Sequence, residues 1–352
     1  MERVRINLDG GYDAVIGGGL LDRCGQLLMP LSGPCRIALV TDMNVAPLYS
    51  EKAAASLEKA GFSVFPFILP AGEEAKTPAA VIELWTALAE QRFTRGDCLL
   101  ALGGGAVSDT AGFAAGCYMR GIRSFTMPTT LLAAVDAAVG GKTAIDLPNG
   151  KNLVGVFHQP GAVLCDTDIL RDLPPSLLAE GMAEVIKTAM IGDSELFRLC
   201  AQTGAEITEI LRRCITLKAA IVENDPKEQG DRKLLNLGHT PAHAIERLSG
   251  YTISHGKAVA MGLALMSRAA AKLGYCPADI ADALCAVLAA NGLPTAVPYP
   301  AERLTEAARA DKKSLGDSIT VILPREIGRC EAKEVSFARL ADIFRAGMEE
   351  QP

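Results

Sequence analysis

Asp97-Cys98-Leu99-Leu100-Ala101-Leu102-Gly103-Gly104-Gly105-Ala106-Val107-Ser108-Asp109-Thr110-Ala111-Gly112 is the stretch that decides the fold. The unbroken apolar run after Asp97 predicts a strand buried on both faces. The three glycines predict a sharp turn, with a helix starting directly behind it. Continuous apolar strands feeding helices imply a parallel sheet covered on both sides. The glycines also let backbone approach a pyrophosphate closely, and the next helix offers its free N–H groups and positive dipole end. A tight strand-to-helix turn without a ligand explains the same triplet, and the spacing is not the G-x-G-x-x-G dinucleotide fingerprint.

The flanking sequence extends the pattern. Ile37–Val40, Val64–Leu69, Phe125–Met127 and Ala162–Leu164 read as further strands, with Pro66 placing its strand near an edge. Val4, Ile6 and Leu8 alternate with polar residues before Asp9-Gly10-Gly11, which predicts a hairpin. After Leu173-Pro174-Pro175 strand signals nearly stop. Helical patterns follow over Ser176–Ile191, Glu206–Glu223, Pro241–Leu248, Lys257–Leu273 and Ala278–Asn291, with one late strand over Asp317–Leu323. The expected fold is α/β: a Rossmann-like parallel-sheet domain over residues 1–174, then a mostly α-helical domain over 175–352, with ligand in the cleft between them.

Composition narrows the function. A chain of 352 residues suits two domains, and 49% apolar content suits a globular protein. The net charge of −6 argues against nucleic acid as a partner. No apolar run approaches the roughly 20 residues of a membrane span, and the polar, alternating Met1–Asn7 predicts no signal peptide. The ten cysteines form no C-x-x-C pair, so reduced thiols in the cytoplasm are expected.

Three of the four histidines, His239, His243 and His255, are gathered in a histidine-poor chain. Neutral imidazole is a common metal ligand, and an open zinc site often takes two imidazoles and a carboxylate. His239 and His243, at i and i+4, could share one metal, but no glutamate sits between them as in H-E-x-x-H peptidases. Glu180, Glu184 and Lys187 share one face of their helix, which a solvated ion-pair stripe also explains. Asp136 lies in an apolar stretch and needs partners. Gly140-Gly141-Lys142 puts a lysine after flexible backbone, one way to meet a phosphate. Lys142 and Lys151 taken singly read equally as solvated loop residues. Asp42, at a strand end, could accept from ribose hydroxyls or simply cap the strand.

The string Gly-Gly-Gly-x-x-x-Asp-x-x-Gly resembles the nucleotide turn of the dehydroquinate synthase and iron-containing alcohol dehydrogenase superfamily. Pro128–Lys142, Lys151–Pro160, Ala183–Lys187, Leu235–Glu246 and Asp311-Lys312-Lys313 together resemble the 3-dehydroquinate synthase family along nearly the whole chain. The resemblance implies Glu184, His239 and His255 as ligands of one Zn2+ or Co2+. It implies Arg120, Asp136, Lys142, Asn152, Lys187, Lys218, Arg232, Asn236, His243 and Lys312 as substrate contacts. Asp136, Lys142, Lys187, Asn236 and His243 are the expected catalytic residues among them. For NAD it implies Asp42, Glu73, Lys76, Gly104, Gly105, Ala106, Asp109, Thr129, Thr130, Lys142 and Lys151, with Ile169, Leu170, Arg171 and Asp172 closing on the cofactor. A homodimer is implied, with Arg120 reaching the neighbouring site. Ala242 stands where the family commonly has glycine, Ala137 and Ala138 where it has serines, and Lys257 where it has glutamate.

The implied reaction is carbon–oxygen lyase chemistry of the shikimate pathway to chorismate and the aromatic amino acids. 3-Deoxy-D-arabino-heptulosonate 7-phosphate becomes 3-dehydroquinate and phosphate by transient NAD oxidation, phosphate elimination, reduction, ring opening and aldol closure. Another sugar-phosphate cyclase would lack reason to keep Lys218 with Arg232 for a carboxylate. A metal-dependent polyol dehydrogenase would need no phosphate grip, and a silent binding protein would need none of these polar residues.

Overall fold

The structure, a computed structural model, describes residues 1–202, 204–309 and 317–348. The chain divides into two compact units, Met1–Leu173 with Ile207–Glu223, and Pro174–Glu206 with Asn224–Pro352. The helix Ile207–Asn224 was expected in the second unit, yet nearly all of it clusters with the first. Three contacts hold it there. Glu223 accepts the Asn7 N–H at 2.6 Å, Arg212 lies 3.6 Å from Glu2, and Lys218 meets Asp136.

The first unit carries β1 (Glu2–Ile6), β2 (Tyr12–Gly17), β3 (Arg36–Asp42), β4 (Ser63–Leu69), β5 (Cys98–Gly103), β6 (Arg123–Pro128), β7 (Lys142–Leu147), β8 (Gly150–Phe157) and β9 (Ala162–Asp166). Seven of these form one sheet in the order β1-β2-β9-β6-β5-β3-β4. It is parallel from β2 to β4, and β1 is an antiparallel partner of β2, as the Asp9-Gly10-Gly11 turn predicts. β4, with Pro66, is an edge. Because side chains alternate along a strand, β3 and β5 feed both faces. Ile37, Leu39, Cys98, Leu100 and Leu102 join one core, and Ala38, Val40, Leu99 and Ala101 the other. Burying each leucine fully contributes about 1.5–3 kcal/mol.

β3 pairs on one side with β4 and on the other with β5, so chain order reverses there. In open α/β sheets such a reversal is where ligands meet the carboxyl ends of strands. Asp42 ends β3 and Gly103 ends β5. The helix Gly105–Cys117 follows, and β7–β8, a hairpin absent from the sequence expectation, lies against it. A Cβ on Gly112 would come within 2.4 Å of Thr143 Cγ2, so that glycine is what permits the approach.

The second unit is mostly helical. The helix His255–Lys272 is buried nearly all round and packs against Pro175–Gly192, His239–Leu248, Ala278–Ala290 and Phe337–Gly347. A helix apolar on every side belongs in the middle of a bundle. The strand expected over Asp317–Leu323 is β10 (Ser318–Glu326), and it pairs with β11 (Arg329–Ser336), which the sequence did not suggest. Among the described residues no helix is long and apolar enough to cross a membrane, and all ten cysteines are thiols.

Candidate active site

In the first unit the glycine turn is open in front. Gly104 precedes the helix Gly105–Cys117 with no side chain capping its first N–H groups. A Cβ on Gly104 would meet nothing nearer than Thr130 Cγ2 at 3.6 Å, and one on Gly105 nothing nearer than Ala137 Cβ at 3.6 Å. Gly104 and Gly105 are therefore not demanded by protein packing, unlike Gly103, whose Cβ would lie 2.6 Å from Val107; they leave a half-buried shelf of backbone at a helix start. Such a shelf fits the phosphates of a dinucleotide. Ala106 lies in the same first helical turn. Thr129 closes the shelf's side by donating its N–H to the Gly103 carbonyl at 2.9 Å, and Thr130 follows it.

Several of the expected cofactor residues pair with one another. Lys76 Nζ, buried, lies 2.7 Å from Asp109 Oδ2 and 2.5 Å from Asn152 Oδ1. Burial pushes the Asp109 carboxyl up to about 6 although Lys76 pulls the other way. Lys151 Nζ lies 2.9 Å from Glu73 Oε1. Asp42 Oδ1 accepts the N–H groups of Asn44 and Val45 at 2.8 and 2.9 Å, so the strand-end capping role is real. Ile169 and Leu170 are buried, while Arg171 and Asp172 are exposed. Lys218 Nζ meets both the Asp136 carboxylate, at 2.5 Å, and the Asp136 carbonyl. The partner that Asp136 needs thus comes from a helix 82 residues away. Lys142 is exposed at the head of β7. Arg120 is exposed in a left-handed turn, at φ 66°.

In the second unit one helix supplies Glu184 and Lys187, and the first residues of two others are His239 and His255. Glu184 is fully buried, and its Oε1 lies 3.2 Å from His255 Nε2 and 3.6 Å from His239 Nε2. The three ligand atoms fall within 4.8 Å of one another. Each histidine is anchored through its other nitrogen: His239 Nδ1 lies 3.1 Å from the Leu237 carbonyl, and His255 Nδ1 lies 3.3 Å from Glu246 Oε2. Such outer partners fix ring orientation and leave Nε2 for a metal. Burial pushes the His239 ring down to about 3, with Lys187 adding to it, so the ring is neutral as a ligand must be. At His255 burial works in the same direction, but Glu184 and Glu246 overcome it and push the ring up to about 10. The site therefore draws positive charge, and its one carboxylate and two imidazoles fit a divalent ion of the zinc type.

Glu246 had been given no role. It stands at i+7 from His239 on the same helix, a spacing that could have revealed it. Lys257 is exposed, and His255 has its carboxylate partner in Glu246. His243, half-buried, brings its ring centroid 5.6 Å from His239 and stands outside the ligand triad. Arg232 is buried, with its N–H on Asp225 and Nη1 on the Pro226 carbonyl. Asn236 Nδ2 donates to Glu228 at 2.5 Å. Lys312 and Lys313 lie outside the described residues.

The pair Lys187–Glu184, at 2.5 Å and almost without solvent exposure, excludes the solvated-stripe explanation for these two residues. Removing one partner of a buried pair typically costs about 3–5 kcal/mol. Lys187→Met is thus expected to destabilise the ion-depleted protein by about 3 kcal/mol. Denaturant unfolding with and without zinc checks this: saturating zinc should recover most of the loss by supplying the positive charge. An equal loss with and without zinc would contradict it.

Comparison with known proteins places the chain. The 3-dehydroquinate synthase N-terminal model matches residues 66–180, and the C-terminal model matches 181–314. A 3-dehydroquinate synthase of Caulobacter vibrioides is 44% identical over 347 residues, 94% of each chain. One of Brucella anthropi is 41% identical over 355 residues, 96% of this chain and 94% of that one. Among solved structures, 2-deoxy-scyllo-inosose synthase with carbaglucose-6-phosphate, NAD+ and Co2+ superposes with a TM-score of 0.89 at 26% identity, covering 99% of this chain and 100% of that one. The 2-epi-5-epi-valiolone synthase of Streptomyces hygroscopicus subsp. jinggangensis, with NAD+ and Zn2+, gives 0.86 at 28% identity over 98% and 99% of the two chains. With identity above 40% over nearly its full length and both family models matched in order, the chain belongs to the 3-dehydroquinate synthase family.

Proposed function

We propose that this chain converts 3-deoxy-D-arabino-heptulosonate 7-phosphate to 3-dehydroquinate and phosphate, using NAD and one divalent ion. The observation that carries the reading is the triad of buried Glu184 and His239 with half-buried His255, each imidazole anchored through Nδ1. When bound, the ion supplies Lewis acidity toward the substrate's hydroxyls, and NAD supplies a hydride acceptor regenerated within each turnover.

The chain's own residues bind and orient. Lys142, Asn152, His243 and Lys312 are the proposed phosphate contacts, and Lys218 with Arg232 the carboxylate contacts. A phosphate meets lysine as a point charge, whereas a carboxylate suits the planar guanidinium fork of an arginine. Lys218 and Arg232 are both buried, which costs free energy unless something anionic is met; Asp136 meets that need for Lys218 in this structure. A carboxylate-free sugar phosphate offers these two cations no substrate carboxylate to hold. Asp136, Lys187, Asn236 and His243 are assigned to orient the substrate and hold protons. For NAD, the shelf at Gly104, Gly105 and Ala106 is assigned to the pyrophosphate, with Lys76, Asp109, Thr129, Thr130 and Lys151 around it. Asp42 and Glu73 complete the cofactor contacts, and the segment Ile169–Asp172 borders them. A homodimer in which exposed Arg120 serves the neighbouring site, and a cytoplasmic location suited to ten thiols, complete the proposal.

The test is phosphate release from the heptulosonate phosphate with catalytic NAD, with and without chelator, while the carbocycle is identified. Chelator-sensitive release with dehydroquinate formed and no net NADH is expected. No release from folded, metal-loaded, NAD-supplied protein rejects the reading and turns the search to carboxylate-free sugar phosphates.

A further inference from the structure

The pair β7–β8 breaks register at one place. Ile145 pairs with Val154 and Leu147 with Gly150, so Asp146 alone faces Lys151, Asn152 and Leu153. Such a bulge takes backbone groups out of the ladder, and those groups need other partners. The Asn152 N–H finds one in Asp146 Oδ1, at 2.7 Å. Asn152 itself sits at φ 54°, a left-handed conformation that costs a non-glycine residue free energy and persists only where surroundings enforce it. Burial and the neighbouring Glu73, the residue that holds Lys151, keep the Asp146 carboxyl above the usual carboxylate range. Asn152 in turn takes Lys76, which pairs with Asp109. Asp146 thereby holds the bulge backbone, and the bulge's own Lys151 and Asn152 reach the turn Gly72–Lys76.

We propose that Asp146 is a positioning residue: its carboxylate holds the bulge that presents Lys151 and Asn152 to the anionic ligands. The inference rests on the assignment above of Lys151 to NAD and Asn152 to substrate phosphate. Bulges next to active sites re-aim side chains, and three residues opposite one is a large re-aiming. Losing the acceptor releases the left-handed Asn152, and the two side chains then spread over several positions. Ordering them falls to the ligand, so binding weakens while the chemistry of the saturated enzyme is spared.

The experiment compares the full-length wild type with Asp146→Ala and Asp146→Asn. NAD affinity is read by calorimetry, KM and kcat by phosphate release, and local opening by hydrogen exchange of peptides spanning residues 147–154. Losing one charge-assisted hydrogen bond weakens both ligands by about tenfold in the alanine variant, with kcat within about twofold. Exchange at the hairpin tip rises there without a fall in melting temperature. The asparagine variant keeps an acceptor oxygen and recovers wild-type exchange and most of the affinity. Unchanged affinity and KM in the alanine variant overturn the proposal, as does an asparagine variant no better than alanine. Wild-type protein whose Asn152 amide exchanges as fast as an unprotected loop amide overturns it without any variant. A wild type that turns nothing over defeats the functional reading instead, and the calorimetric and exchange comparisons still decide the role of Asp146.

Discussion

Glu184→Gln, and separately His255→Ala, is expected to lower kcat/KM by about a thousandfold or more. The helices of the second unit should stay folded. Glutamine keeps the shape of Glu184 and an oxygen that can still accept from Lys187, but it removes the charge toward which both imidazoles turn. His255→Ala removes one of three ligands from a site whose other two cannot hold an ion tightly. Lewis acidity is worth several kcal/mol to the reaction, which sets the size of the loss. Neither change should unfold a domain with an ordinary stability of about 5–15 kcal/mol. Metal content, circular dichroism and phosphate release on the same preparations check the three parts. Activity persisting in metal-depleted His255→Ala protein would remove these residues from the metal site.

Gly262→Ala should be the most damaging single methyl in the second unit. A Cβ there would lie 2.1 Å from the Gly238 carbonyl oxygen and 3.1 Å from Pro241 Cγ. The nearest obstacle is backbone, so no rotamer relieves it. Helix propensity alone would favour alanine by about 1 kcal/mol. Overpacking costs about 1–3 kcal/mol, and more where backbone must move, so a net loss near 3 kcal/mol is expected. Gly238 is left-handed, φ 75°, and immediately precedes His239, so whatever shifts it shifts a ligand. The variant should therefore lose zinc affinity as well as stability, read by zinc titration against a chelating dye and by thermal unfolding. Stability lost with zinc affinity unchanged would show that the strain is absorbed away from Gly238.

Legibility in the sequence followed the apolar pattern. β3, β5, β6 and β9 bury both faces, and each was readable as a run. The hairpin β7–β8 was not, because Lys142–Leu147 and Gly150–Phe157 are largely exposed or half-buried and are interrupted by lysine, asparagine and glycine. β11 has only Val335 buried, and backbone pairing with β10 makes it a strand. The helices of His239 and His255 begin two residues earlier than their apolar pattern, since both histidines face the site rather than the core. Spacing alone left His243 competing with Glu184 as a ligand. Resemblance named Glu184, and the structure brings it to the other two across 55 and 71 positions of chain. No local signal could have told that Ile207–Glu223 returns to the first unit, because what holds it there is contact with residues far away in sequence, Glu2, Asn7 and Asp136.

That return has a consequence for how the protein is made. The first unit is not finished at Leu173: its remaining helix is translated only after the two helices Pro175–Gly192 and Ser194–Cys200 of the other unit. Domains usually mature in order as a chain leaves the ribosome. Here the nascent first unit waits for Lys218 to reach Asp136, while the Glu184 helix waits for His239 and His255. Both halves of this protein are therefore incomplete at the same moment of synthesis, and a nascent chain arrested between Leu173 and Ile207 holds neither one whole.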